Sequence, residues 1–240
     1  MLFVFRHFLL GLHFLVAGVI NLAIVLLRPF NPDNSRLCGR VYSLPALRLM
    51  GLRYCLEVAS LYAMPRPYVM VVNHQSNYDL FVLGSVVPVR TVTIGKRSLK
   101  WLPFFGQIYW LAGNVLIDRG NARRAKEAML RTTDVMQHHD TSIWVFPEGT
   151  RNLNGGLLPF KKGAFQMAIN AQVPIVPMCC SSYKQSMRLN RWRSGKVIIR
   201  ALPAIPTVGL TLDDMPDLMA QCRAQMLDCL ASLDARALAV

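Results

Sequence analysis

"YVMVVNHQSNYDLFVL", residues 68–83, is the stretch that decides the fold. Tyr68–Val72 is a short apolar run rich in valine, which predicts a buried strand. Five polar residues follow, and then a helical stretch over Tyr78–Val86. The same alternation recurs along the chain. Strands are predicted at Arg53–Val58, Thr91–Ile94, Asn114–Ile117, Ser142–Phe146, Ile175–Cys179 and Val197–Ala201. Helices are predicted at Leu99–Leu111, Ala122–His138, Lys162–Asn170 and Asp214–Leu233. The last opens on "LDDMPD", with acids at the positive end of the helix dipole. Strands alternating with helices predict an α/β fold: a largely parallel central sheet with helices on both faces. In such sheets ligands bind at loops leaving the C-terminal ends of strands, so functional motifs should directly follow strands.

At 240 residues the chain can bury one sizeable core, with room for an appendage. It carries 27 Lys+Arg against 13 Asp+Glu, a net charge of +14, which favours anionic partners. Hydrophobic residues make up 53% and charged residues 17%, too apolar for a typical nucleic-acid binder. The aromatics lie in apolar runs rather than interleaved with Lys and Arg as a stacking platform requires, so no nucleic-acid partner is expected. An acidic membrane surface or a phosphorylated metabolite fits better. The six cysteines form no C-x-x-C and no zinc spacing, and read as reduced thiols of a cytoplasmic protein with no metal site. Of the adjacent Cys179 and Cys180, one is expected in the core and one on the surface.

The N-terminus carries the strongest compositional signal. Phe8–Leu27 has no formal charge and about the length of a bilayer span. It is longer than a signal peptide's apolar region, and no small-x-small cleavage site follows it. Arg28, Arg36, Arg40, Arg48 and Arg53 then face a single acid, Asp33, an interfacial basic pattern. That excess on the C-terminal side places the rest of the chain in the cytoplasm. The proline-containing stretch at residues 29–34 reads as the best boundary between appendage and domain; with the basic segment that follows, residues 1–53 are taken as membrane-associated and residues 54–240 as the main domain. Full span, one-leaflet insertion and a core hairpin of a soluble protein all fit the apolar run.

His74 and Asp79 stand five positions apart, which on one helix would separate them by about 140°. A turn at Gln75–Asn77 can bring them together. An anionic Asp79 near a helix start would accept from one imidazole nitrogen and leave the other free as a base. A capped helix with a bystander histidine is the plainer reading of the same residues. "IWVFPEGTRN", residues 143–152, ends an apolar strand in a Gly149 whose N–H can face an oxyanion and an Arg151 that can fork onto phosphate. Its plain reading is a tight turn with a solvated charge pair. Lys96 and Arg119 lie just past strands, and Lys161 just before a helix. Singly each reads as surface charge; their shared position points to an anionic pocket. There is no G-x-S-x-G elbow, no phosphate loop and no G-x-G-x-x-G after a strand. No covalent nucleophile stands out near His74, so the simplest use of a His/Asp base is to activate a substrate hydroxyl.

"NHQSNYD", "GNVLIDR", "FPEGTR" and "VPIVPM" occur in that order. With "TIGKRSLKWLPFFGQIYW" and "LLPFKKGAF" they make residues 54–205 resemble the glycerolipid acyltransferases with an H-x-x-x-x-D motif. The resemblance implies an α/β acyltransferase domain behind an N-terminal two-helix membrane motif. It implies transfer of a fatty acyl group from a thioester of acyl carrier protein or coenzyme A to the 2-hydroxyl of lysophosphatidate, giving phosphatidate. No resident cofactor or metal is implied. His74 would be the base and Asp79 its orienter. Arg119 and Arg151 would bind phosphate, with Lys161 beside the substrate and Glu148 orienting Arg151 or its loop. Lys96 and the Gly149 N–H would face the thioester oxyanion. Val173–Met178 would be a core strand beside an acyl tunnel, and Trp101–Leu111 would line that channel or pack the core. The setting would be the inner membrane of a bacterium, with the domain facing the cytoplasm. Another lysolipid as acceptor, or a non-catalytic protein that binds anionic lipid, are the competing readings.

Overall fold

The computed structural model describes residues 1–118, 120 and 122–238, with every side chain among them except those at 122, 124–126, 131, 135, 137 and 138. Two helices come first, α1 (Leu2–Leu27) and α2 (Asn34–Met50). Then follow β1 (Leu52–Glu57), α3 (Ala59–Tyr62), β2 (Val69–Val72), α4 (Asp79–Leu83) and β3 (Thr91–Lys96). Next are α5 (Phe105–Leu111), β4 (Val115–Ile117), α6 (Ala122–His139), β5 (Ser142–Val145) and α7 (Gly163–Ala171). The chain closes with β6 (Ile175–Cys180), α8 (Tyr183–Ser186), β7 (Gly195–Ala201) and α9 (Met215–Leu238). The strands form one sheet in the order β1-β7-β6-β2-β5-β3-β4. All neighbours are parallel except β6 and β7. The predicted α/β architecture is therefore present, and each predicted strand has its counterpart within two residues at either end.

The sheet divides two cores. Along β2, Val69 and Val71 face one core, which α7 and α9 cover with Phe165, Cys222 and Met226. Met70 and Val72 face the other, covered by α2 and α4 through Ala46, Met50 and Val82. Burial on both faces is why these strands read as unbroken apolar runs. It also corrects the expectation for Cys179 and Cys180. Both thiols are fully buried, one in each core, because β6 is a central strand with helices on either side.

Trp101–Leu111 packs the core only in part: Ile108 joins a small buried cluster with Leu111 against it, and Phe105 packs on the α2-side core. Pro103 has no N–H to continue a helix, and the segment breaks into a 3₁₀ turn (Arg97–Trp101) and α5. Trp101, Leu102, Phe104 and Trp110 are exposed, and only Gly106 and Ile108 of α5 are buried. The four-residue helices α3 and α8 were not foreseen; both are too short to show a period.

Arg6, Leu10, Ala17, Asn21 and Val25 form the buried stripe of α1, so this helix lies along the protein from end to end. Its other side bares Phe3, Phe5, Phe8, Leu12, Leu15 and Val19. α2 packs along α1 and against the domain, and α1 also touches the domain directly through Arg6, His7 and Val25. A Cβ on Gly39 would sit 2.4 Å from the Gly84 carbonyl oxygen, so helix and domain backbones touch there. Ser43 Oγ adds a 2.5 Å hydrogen bond to the Phe81 carbonyl of α4.

Candidate active site

His74 leaves the C-terminal end of β2, the central edge where parallel sheets present ligand sites. Its loop is fastened on three sides. Asn73 clamps the end of β6, accepting from the Cys180 N–H (2.8 Å) and donating to its carbonyl (2.9 Å). Gln75 Nε2 donates to the carbonyls of Cys180 (3.0 Å) and Ser181 (2.9 Å). The His74 N–H donates to Glu148 Oε1 (2.9 Å), and its carbonyl accepts from the Asn152 N–H (2.8 Å).

Asp79 opens α4 and is 5% exposed. Its Oδ2 accepts from His74 Nδ1 (2.5 Å) and from the N–H groups of Gln75 (2.8 Å) and Ser76 (3.1 Å). Its Oδ1 accepts from the Tyr183 hydroxyl (2.5 Å). A carboxylate can only accept, so Nδ1 carries the proton and Nε2 presents a lone pair. One oxygen takes two loop amides and the imidazole together, and no side chain caps α4, so the pair rather than a helix cap accounts for Asp79. Burial, reinforced by the Asp79 charge, pushes the Tyr183 hydroxyl well above its ordinary value, so it remains a donor. Phe146 stacks on the His74 ring at 4.0 Å and 14°, which fixes the plane of the imidazole.

Glu148 is 2% exposed and bridges two loops, since its Oε2 accepts from the Leu158 N–H (2.9 Å). Burial raises its carboxyl above the ordinary value, opposed by the two amides of His74 and Leu158. Of its two expected roles, Glu148 holds the loop. The exposed guanidinium of Arg151 instead donates to the side-chain carbonyl of Asn77, inside the histidine loop.

The remaining site residues meet their expectations unevenly. Gly149 has φ +70°, which suits glycine, but its N–H donates to the Phe146 carbonyl at 3.0 Å and closes a turn. That N–H is thus engaged within its own turn. The exposed Lys96 ends β3, two strands from β2, or about 10 Å across the sheet. Lys161 is exposed, its N–H donates to the Pro147 carbonyl at 2.7 Å, and its methylenes cover Gly149. Arg119 lies outside the described residues. Val173–Met178 largely matches β6, a wholly buried strand. A cavity of about 690 Å³ lies at the opposite edge of the sheet, where Arg90 and Thr141 precede β3 and β5. His74 is not among the residues that line it. Among the described residues no three His, Cys, Asp or Glu side chains could hold a metal.

Asn73, Gln75, Phe146 and Tyr183 were missed from sequence. Their only signal is position, since each stands at or just beyond a strand end. All six cysteines are free, and no cysteine, serine or threonine is hydrogen-bonded to the His74 ring among the described residues. A His–Asp pair at the strand-end edge of a largely parallel sheet places this chain among α/β proteins equipped with a general base suited to activating an acceptor's hydroxyl.

Comparison narrows the class. The family model described as Acyltransferase matches residues 55–181, and the chain belongs to that family. It is 40% identical to a 1-acyl-sn-glycerol-3-phosphate acyltransferase of Haemophilus influenzae, covering 98% of this chain and 97% of that one. A protein of the same name from Escherichia coli is 39% identical over 98% of this chain and 95% of its own. The human alpha form of that enzyme is 41% identical over 89% of this chain and 76% of its own. The crystal structure of a 1-acyl-sn-glycerophosphate acyltransferase from Thermotoga maritima shares the fold, with a TM-score of 0.71 at 22% identity over 97% of this chain and 98% of that one.

Proposed function

We propose that this chain transfers a fatty acyl group from an acyl thioester to the sn-2 hydroxyl of 1-acylglycerol-3-phosphate, giving phosphatidate for phospholipid synthesis. The observation that carries the chemistry is the 2.5 Å bond from His74 Nδ1 to a buried, four-donor Asp79. In this reading His74 Nε2 takes the proton of the lipid hydroxyl as its oxygen attacks the thioester carbonyl. A C–O bond forms, the C–S bond breaks, and the imidazolium returns the proton to the departing thiolate. Asp79 stabilises the imidazolium between these steps. Arg151, held by Asn77 against the same loop, binds the phosphate of the acceptor, and Arg119 is proposed as its partner.

Acyl carrier protein and coenzyme A are the proposed carriers of the donor. The exposed apolar face of α1 lies in one leaflet of the inner membrane of a bacterium, with the domain on the cytoplasmic side. Two features support this: the helix packs against protein along one whole side, and basic residues follow it. A purified chain assayed with a matrix of acyl donors and lysolipid acceptors tests the reading. Lysophosphatidate should be the preferred acceptor, and Arg151→Ala should raise its KM at least tenfold. Equal rates with neutral lysolipids would remove phosphate recognition from the account.

A further inference from the structure

Arg6 is an arginine inside the apolar helix α1, and it is 4% exposed. No acidic side chain pairs with it among the described residues. Its Nη1 donates to the carbonyls of Leu189 (3.0 Å) and Arg191 (2.5 Å), and its Nη2 to that of Trp192 (2.7 Å). A buried guanidinium is tolerated only when its donors are satisfied, and here one loop satisfies them. The loop is closed on itself and on the end of α2. The Arg188 N–H donates to the Ser194 carbonyl (2.7 Å), and the Ser194 N–H to that of Gly51 (2.9 Å). Gly51 is required there: at φ +66° a Cβ would lie 2.3 Å from Arg6 Nη2 and from the Trp192 oxygen.

This rigid loop presents Arg191, Trp192 and Arg193, all exposed, with Trp192 at 80%. It stands beside the first turns of α1, where Phe3, Phe5 and Phe8 are bare. A tether alone leaves an indole in water, flanked by two arginines, without a use. We propose that residues 190–193 form a second membrane anchor, which inserts Trp192 at the headgroup level and sets Arg191 and Arg193 against anionic phospholipids. Indole favours that interface, and arginine keeps its head among phosphates while its stem lies on apolar surface. Arg6 locks this anchor to α1 at the end of the helix where His7 Nε2 also meets the Tyr78 hydroxyl (2.9 Å) of the catalytic loop. The two anchors together would fix the tilt of the site over the bilayer. The proposal rests on the reading that the bare face of α1 lies in the membrane.

The test is partitioning of the full chain into sucrose-loaded vesicles of phosphatidylcholine, alone or with about 30% phosphatidylglycerol. Arg191→Gln/Arg193→Gln should weaken binding to the anionic vesicles about 25-fold, at roughly fivefold per arginine, and leave neutral vesicles unchanged. Trp192→Ala should weaken binding to both. Turnover of detergent-dispersed lysophosphatidate by each variant shows that it is folded. Wild-type partitioning by the arginine pair variant overturns the proposal. A variant that binds vesicles normally, yet slows only with a protein-borne thioester, overturns it in favour of an acidic protein partner. A wild-type chain that binds neither vesicle removes the membrane reading of α1, and the second anchor with it.

Discussion

Asp79→Asn isolates the charge from the geometry of the site. An amide oxygen in the place of Oδ2 still accepts from His74 Nδ1, Gln75 N–H and Ser76 N–H. The new NH₂ faces Tyr183, whose hydroxyl can rotate from donor to acceptor. Fold, tautomer and ring plane should therefore survive. What disappears is the anion beside the imidazolium that forms as the lipid hydroxyl is deprotonated. Two unit charges about 4 Å apart at an effective dielectric near 20 interact by about 4 kcal/mol. That corresponds to a loss of about a thousandfold in kcat, with KM little changed. Initial rates of thiol release from an acyl thioester, at saturating lysophosphatidate, measure it. Tyr183→Phe is the companion variant: it removes one donor from the carboxylate but leaves the charge, so its loss should be about tenfold. A kcat for Asp79→Asn within tenfold of wild type, with the fold intact, would refute the electrostatic role assigned to this residue.

Three further outcomes follow from named contacts. Glu148→Gln puts an amide NH₂ against a backbone N–H of His74 or Leu158, and should lower kcat at least tenfold while Arg151-dependent KM changes less. Gly84→Ala would push a methyl to 2.6 Å from the Gly39 carbonyl oxygen and should destabilise the chain by about 1–3 kcal/mol, read in denaturant titration. Arg236, with help from Arg200, holds the Glu57 carboxyl down from its ordinary 4.5 to about 2. A lowered carboxyl contributes stability above its ordinary value and loses it as pH falls towards 2. Glu57→Gln should therefore lower Tm near neutral pH, and the gap should close in acid.

The sheet was legible because its central strands, such as β2, β5 and β6, are apolar runs bounded by polar turns, a consequence of burial on both faces. Segment ends were less legible: Pro103 turned one expected helix into two pieces. The two residues of the His–Asp pair announced themselves through a short spacing after a strand. The groups that hold them did not. Tyr183 reaches Asp79 across 104 positions and Asn73 reaches Cys180 across 107, and nothing local marks either contact. Gly149 shows another limit: the motif marked a glycine at a strand end, but the direction of its N–H depends on the turn it closes with Phe146. The apolar N-terminus declared its hydropathy but not its posture, which is set by the Arg6–Val25 stripe lying against the domain.

The central claim is that His74 is the base for acyl transfer. Single-turnover transfer from an acyl thioester to lysophosphatidate on vesicles, with His74→Ala beside wild type, tests it most directly. The account predicts a fall of at least about a thousandfold in the transfer rate, with vesicle binding unchanged. Transfer by His74→Ala within a few-fold of wild type would contradict it.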